Sequence, residues 1–152
     1  MYVVDAKPGA EPKALTTYAG GDGGRPSWSP DGQWIAYLQG DETKYNAYEL
    51  NKLAIVPAAG GAAKVLTAAL DRPVSGPIWW SADGKTLTFT VGDDRIEYVG
   101  RTTVAGGAVE KLTTGRQTVG NVSLGADGHL TMLVGATTQT PDVHALEAGK
   151  LR

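Results

Sequence analysis

Apolar residues come along this chain in short bursts, each closed by Gly, Pro, Asp or Asn. In one burst Trp34, Ala36 and Leu38 alternate with Ile35 and Tyr37, and neither set is polar. A strand covered on both faces reads this way, whereas a half-exposed strand alternates apolar with polar. A helical reading fails, because β-branched and aromatic residues cluster between Gly and Pro breakers and no 3.6-residue period survives. The pattern therefore predicts an all-β chain of many short strands joined by tight turns.

The bursts repeat. One copy runs Ser27-Trp28-Ser29-Pro30-Asp31-Gly32-Gln33-Trp34-Ile35-Ala36-Tyr37-Leu38, and a second runs Ile78-Trp79-Trp80-Ser81-Ala82-Asp83-Gly84-Lys85-Thr86-Leu87-Thr88-Phe89. A weaker third, Asn121-Val122-Ser123-Leu124-Gly125-Ala126-Asp127-Gly128-His129-Leu130-Thr131-Met132, has Leu124 and Gly125 in place of the expected Trp or Ser and Pro. The Asp-Gly pairs begin at 31, 83 and 127, giving spacings of 52 and 44 residues. Propeller blades have periods of about 40 to 50 residues. In the turn, Pro30 pre-sets φ, Asp31 can bond back to the backbone and Gly32 can take positive φ, so a short hairpin joins a strand ending near Ser29 to one starting near Trp34. A second signature alternates with the first. Leu53-Ala54-Ile55-Val56 leads to Gly60-Gly61 and Val65-Leu66-Thr67, and Thr103-Val104-Ala105 leads to Gly106-Gly107 and Lys111-Leu112-Thr113. The N-terminus gives a version of it, Tyr2-Val3-Val4, Pro8-Gly9 and Ala14-Leu15-Thr16.

The predicted architecture is a β-propeller fragment of about three four-stranded antiparallel blades, incomplete at both ends. Residues 1–16 supply the outer strands of one blade, 24–67 and 74–113 are blades, and 119–152 form an incomplete last blade. Closed propellers have about four to eight blades. Three would leave two apolar faces bare, which implies either contact with further blades or pairing with a second copy of the chain.

Composition narrows the functional classes. Gly contributes 21 of 152 residues, in keeping with many turns. Net charge is −2 with no basic run, which argues against a nucleic-acid partner. No apolar stretch approaches the roughly 18 residues of a membrane helix, so no membrane partner is expected. The absence of cysteine removes disulfides and thiolate metal sites. The N-terminus Met1-Tyr2-Val3-Val4-Asp5 does not read as a signal peptide, and the residues do not decide between cytoplasm and periplasm.

The Trp-Ser-Pro-Asp-Gly turn followed by an Ile-Ala-Tyr strand resembles the propeller repeats of the prolyl oligopeptidase family, most of all its dipeptidyl aminopeptidase and acylaminoacyl peptidase branch. The repeat is also similar to that of the periplasmic protein TolB. Two features favour the peptidase: the insertion Asp41-Glu42-Thr43-Lys44-Tyr45-Asn46-Ala47-Tyr48-Glu49-Leu50, which looks like a lengthened peptidase loop, and Pro141-Asp142-Val143-His144-Ala145-Leu146, which looks like the last blade before the hydrolase domain. The resemblance implies a non-catalytic propeller that gates and size-filters peptides reaching a separate α/β-hydrolase domain. A TolB-like or stand-alone propeller that acts as a protein-binding scaffold is the alternative. The chain has no Gly-x-Ser-x-Gly elbow, so no catalytic residue is carried over and the chain itself is not expected to be an enzyme.

Individual residues add little chemistry. Asp31-Gly32, Asp83-Gly84 and Asp127-Gly128 read as structural turns, each offering one carboxylate where calcium needs six to eight oxygens. His129 and His144 have no triad or zinc pattern around them, and no metal or other cofactor is expected. Gly20-Gly21-Asp22-Gly23-Gly24 lacks the Gly-Lys-Ser/Thr ending of a phosphate loop and is followed by Arg25-Pro26. Trp28, Trp34 and Trp79 are assigned to the core between blades, with Trp80 pointing to the other face. Asp94 and Arg95 at a charged hairpin, with Arg25 and Arg116, are the candidates for contacting a peptide terminus or carboxylate. The expected partners are further propeller blades, a hydrolase domain and, through it, peptides; the isolated chain could form a homo-oligomer.

Overall fold

The computed structural model of the chain describes residues 1–40, 50–125, 127–147 and 149–152. The insertion expected over residues 41–50 therefore lies, except for Leu50, outside the described residues. Among those described there is no helix, and the strands fall into four antiparallel sheets. A two-stranded sheet pairs β1 (Tyr2–Val3) with β2 (Lys13–Ala14). The next holds β3 (Asp22–Trp28), β4 (Trp34–Gln39), β5 (Lys52–Pro57) and β6 (Lys64–Val65), in sequence order. Then come β7 (Val74–Trp80), β8 (Thr86–Asp93), β9 (Ile96–Thr103) and β10 (Glu110–Lys111), again in sequence order. The last sheet is β11 (Thr118–Leu124), β12 (Leu130–Ala136), β13 (Gln139–Glu147) and β14 (Lys150–Leu151). This is the meandering blade expected from the repeat.

The two apolar faces of β4 are buried against different neighbours. On β4, Ala36 and Leu38 join Val74, Ile78, Trp80, Leu87 and Phe89 of the following sheet in one cluster. Ile35 and Tyr37 of the same strand pack the other way, with Leu15 and, less deeply, Met1 and Val3 of the two-stranded sheet. The third cluster joins Val99 to Val119, Val122, Leu130 and Met132 of the last sheet. The sheets are thus stacked face to face; β4 is apolar on both sides, whereas β8 turns Leu87, Phe89 and Val91 to the preceding sheet and carries Thr88 and Thr90 on its other side.

The Leu-Thr signature acquires a reason. Leu15 and Leu66 are buried, and the threonine after Leu66 hydrogen-bonds to the backbone of its own sheet. Thr67 Oγ1 accepts the Leu53 N–H at 2.9 Å, and Thr113 Oγ1 accepts the Val99 N–H at 3.0 Å. In the two-stranded sheet Thr16 Oγ1 accepts from the α-amino group of Met1 at 2.5 Å, so Met1 stands where Leu53 and Val99 stand in theirs. The outermost strands are only two residues long, and the hydroxyl satisfies the donor that a longer ladder would have paired.

Two expectations need correction. The last blade holds all four strands: β14 pairs Leu151 with Leu146 and Lys150 with Glu147, and it is as long as β6 and β10. A two-residue outer strand is the rule in these sheets, so little sequence suffices to form one. Trp28 is not a core residue here, being 51% exposed. It is paired with Ile35, on the β4 face that meets the two-stranded sheet, and that sheet offers no inner strands to cover it. Trp34 and Trp79 are partly buried against the first and third clusters, and the deeply buried indole is that of Trp80, with Nε1 donating to the Ser27 carbonyl at 3.1 Å.

The weak third repeat differs by two single-residue deletions. In the first two turns a five-residue span is closed by Ser29 N–H to Trp34 O and by Ser81 N–H to Thr86 O. In the third the span is four residues, Gly125 N–H to His129 O. The serine hydroxyl explains the contrast: Ser29 Oγ accepts the Trp34 N–H and donates to Asp31 Oδ1, and Ser81 does the same with Thr86 and Asp83. Gly125 has no hydroxyl, and its backbone closes the turn one residue sooner. The shorter turn leaves the pairing across it unchanged: Leu124↔Leu130 matches Trp80↔Leu87. The second deletion is in the innermost strand, where three residues bulge between Ser75 and Trp79 but two between Gly120 and Ser123. Leu130, Met132 and Val134 still face inward.

Candidate functional site

Each hairpin between the second and third strands of a sheet stands at the same end as the linker that leads into the next sheet. The β8–β9 hairpin shows why the sequence makes a tight turn here. Asp93 pairs with Ile96, which leaves a loop of two residues, Asp94 and Arg95, with φ of 43° and 65°. Positive φ at both positions is the type I′ turn that matches strand twist. The turn holds Asp94 and Arg95 exposed at the tip of the β8–β9 hairpin.

Beside it Asp93 collects two cations. Arg72, in the linker, donates from Nε to Asp93 Oδ1 at 2.6 Å, and Lys111 of β10 reaches Oδ2 at 3.1 Å. The Lys111 ammonium also lies 4.3 Å from the centre of the Tyr98 ring. Hydrogen bonds from Arg72 and then Lys111, with the charges of both, hold the Asp93 carboxyl below the ordinary carboxylate range. This cluster pins linker, hairpin and outer strand together, and its cations are already engaged.

The other candidates stand apart from it. Arg25 occupies the bulge of β3, the innermost strand, and is exposed. Arg116 lies exposed in the linker before β11, next to Gln117, whose carbonyl accepts the Glu97 N–H at 3.1 Å. Arg116 borders a crevice of about 310 Å³ lined also by Gln117, Val134, Ala136, His144 and Leu151. Sequence reasoning singled out Arg116 but gave His144 a packing or surface role and passed over Gln117. No motif marks these two, because they converge from a linker and a strand nearly thirty residues apart.

At the opposite end, the Asp-Gly turns of adjacent sheets are closer than the sequence suggested. Asp31 and Asp83 line one cleft of about 230 Å³ with Trp34, Ile55 and Val104. Asp127 is not part of it, and among the described residues no group of three or more His, Asp or Glu is placed to hold a metal. Their carboxylates serve the turns. Asp31 is held below its usual range by the Ser29 hydroxyl and then the Gln33 N–H, and Asp83 by the Ser81 hydroxyl and then the Lys85 N–H. A carboxyl depressed in the folded state contributes stability above its unfolded pKa of about 3.9, and that contribution is lost as pH falls through this value toward the folded one. The thermal midpoint is therefore expected to hold level from about pH 7 to pH 5 and to fall below about pH 4. Asp31→Asn with Asp83→Asn should make that acid limb shallower, the remainder belonging to Asp93 and Asp127, which are lowered as well; a limb unchanged in the double variant would assign all of it to other groups.

Comparison with known proteins gives the fold a context. No protein-family model and no curated protein matches the sequence. Among solved structures, puromycin hydrolase superposes on 99% of the chain with a TM-score of 0.76 and 22% identity, the chain spanning 26% of that protein. TolB from Acinetobacter baumannii superposes on 99% with a TM-score of 0.71 and 20% identity, the chain spanning 36% of it. The β-propeller domain of the Trilobed protease from Pyrococcus furiosus, described as having an open velcro topology, covers 80% of the chain with a TM-score of 0.62 and 19% identity. At these identities the likeness shows the β-propeller fold. The chain spans between a quarter and two fifths of each of these structures.

Proposed function

We propose that this chain is part of the non-catalytic propeller of a prolyl-oligopeptidase-family serine peptidase, where it limits the entry of peptides to a separate hydrolase domain. The observation that carries the reading is the superposition of 99% of the chain on puromycin hydrolase with a TM-score of up to 0.77, above the 0.71 reached with TolB. The exposed indole of Trp28 supports the partial-propeller half of it. The equivalent Trp80 is sealed against a preceding sheet, and a blade with inner strands beside β1 would seal Trp28 in the same way. The absence of a nucleophile elbow from the sequence supports a gating rather than a catalytic part. Asp94, Arg95, Arg25 and Arg116 are the residues that would meet a peptide on its way in.

The test uses two proteins: the 152-residue chain and the complete natural product of its gene. The complete product is expected to hydrolyse short peptides and to spare long ones, and the chain alone to hydrolyse neither. Hydrolysis by the chain alone, lost on mutation of one of its own serines, would overturn the reading. A complete product that hydrolyses nothing but binds other proteins would favour the TolB-like scaffold, whose fold the chain shares as well.

A further inference from the structure

Three crevices recur in equivalent places, each under the linker that enters a sheet. The first lies among residues 15–19, Tyr37, Gln39 and residues 61–63, the second among Leu70, Tyr98, Val109 and Lys111, and the third among Arg116, Gln117, Val134, His144 and Leu151. Their polar contents differ. In the first, the Tyr37 hydroxyl donates to Gln39 Oε1 at 3.2 Å. In the second, which is only about 180 Å³, Lys111 sits over the Tyr98 ring and binds Asp93. In the third, Gln117 Nε2 and His144 Nδ1 are buried with no partner among the described residues. A buried donor without a partner is costly, and native structures rarely tolerate one without a use.

The third crevice is built for an acceptor. The Gln117 amide can only donate through Nε2, and His144 donates through Nδ1 as one neutral tautomer or as the imidazolium. Arg116 lines the crevice and is exposed to solvent, and no carboxylate lines it. Val134, Ala136 and Leu151 give it apolar walls. At about 310 Å³ it has the size of a small ligand site.

We propose that this crevice binds a carboxylate. Both nitrogens are closed to solvent as the side chains stand, so binding turns the two side chains toward the crevice. One oxygen then accepts from Gln117 Nε2 and the other from His144 Nδ1, Arg116 supplies the countercharge, and the apolar walls receive a short aliphatic body. The C-terminus of a short peptide carries this chemistry, and that identity rests on the peptidase reading; the carboxylate site does not.

The experiment titrates the 152-residue chain with three probes, N-acetyl-Ala-Ala as free acid, the same dipeptide as its amide, and propionate, following the Gln117 side-chain amide and the His144 ring by NMR. The free acid is expected to shift both signals and the amide to shift neither. Arg116→Ala, at an exposed position, should weaken binding about tenfold, as loss of a charge-assisted contact does, with an unchanged thermal midpoint. Ala136→Leu should abolish binding by filling the space while leaving all three polar groups in place. Propionate binding as well as the dipeptide acid would support the carboxylate site and remove the peptide preference. Equal shifts with acid and amide, or none at tens of millimolar acid, would overturn the proposal and leave the peptidase reading standing on its own test.

Discussion

Trp80→Ala is expected to lower the stability of the chain by about 3–5 kcal/mol, while Trp28→Ala lowers it by less than about 1 kcal/mol. The two residues hold the same place in the repeat, just before the serine of the turn, so composition and local conformation cannot separate them. Their surroundings do. Trp80 is 8% exposed, packs among Leu38, Ile55 and Leu87, and donates to the Ser27 carbonyl. Truncating it leaves a cavity between two sheets and orphans an acceptor. Trp28 is 51% exposed and has little to lose. Urea unfolding monitored by far-UV circular dichroism reads both. For a domain of this size, losses of that order displace the thermal midpoint by roughly 10 °C for Trp80 and by 2–4 °C at most for Trp28. Equal losses would mean that Trp28 is covered in solution, by a second copy or by a rearranged N-terminus.

Removing the two buried hydroxyls should rank next. Thr67→Val and Thr113→Val keep shape and burial but withdraw the acceptors of the Leu53 and Val99 N–H groups. A buried donor left unsatisfied costs about 1–3 kcal/mol. The sites belong to different sheets, so the double variant should lose about the sum, roughly 2–6 kcal/mol. Amide hydrogen exchange provides the specific readout. Leu53 should lose protection in the first variant and Val99 in the second, and Thr→Ser at either site should restore it. Stability lost without faster exchange at those amides would place the effect in packing instead.

The fold was legible because its signals are local and repeated. Gly and Asp mark the turns, aromatic and β-branched bursts mark the strands, and the 52- and 44-residue spacings give the blade period. The Leu-Thr signature was visible as a pattern, but its reason was not, since Thr67 and Leu53 meet only once β5 and β6 pair. The exposure of Trp28 was illegible for a related cause: burial depends on what stands opposite, and a repeat position says nothing about whether the neighbouring strands are present. The hairpin that carries Asp94 and Arg95 was legible from its turn residues. The meeting of Gln117 with His144 was not, because a crevice made by a linker crossing a sheet leaves no spacing to read. The nearness of Asp31 and Asp83 was missed in the same way. Fifty-two residues separate them along the chain, but face-to-face stacking brings their turns to the two sides of one cleft.

The two deletions in the last sheet have a consequence for how such a chain can vary. Each is absorbed where it falls. Leu124↔Leu130 closes the shorter turn as Trp80↔Leu87 closes the longer one, and Val119↔Val134 lies beyond the shorter bulge as Val74↔Val91 lies beyond the longer one. Turns and bulges can therefore change length without turning the strands between them inside out. Column-by-column comparison of the repeats then misplaces the whole of β12, setting Leu130 beside Thr86 when its spatial counterpart is Leu87. A turn grafted from one blade into another is expected to keep the faces of its two strands, whichever bulge precedes it.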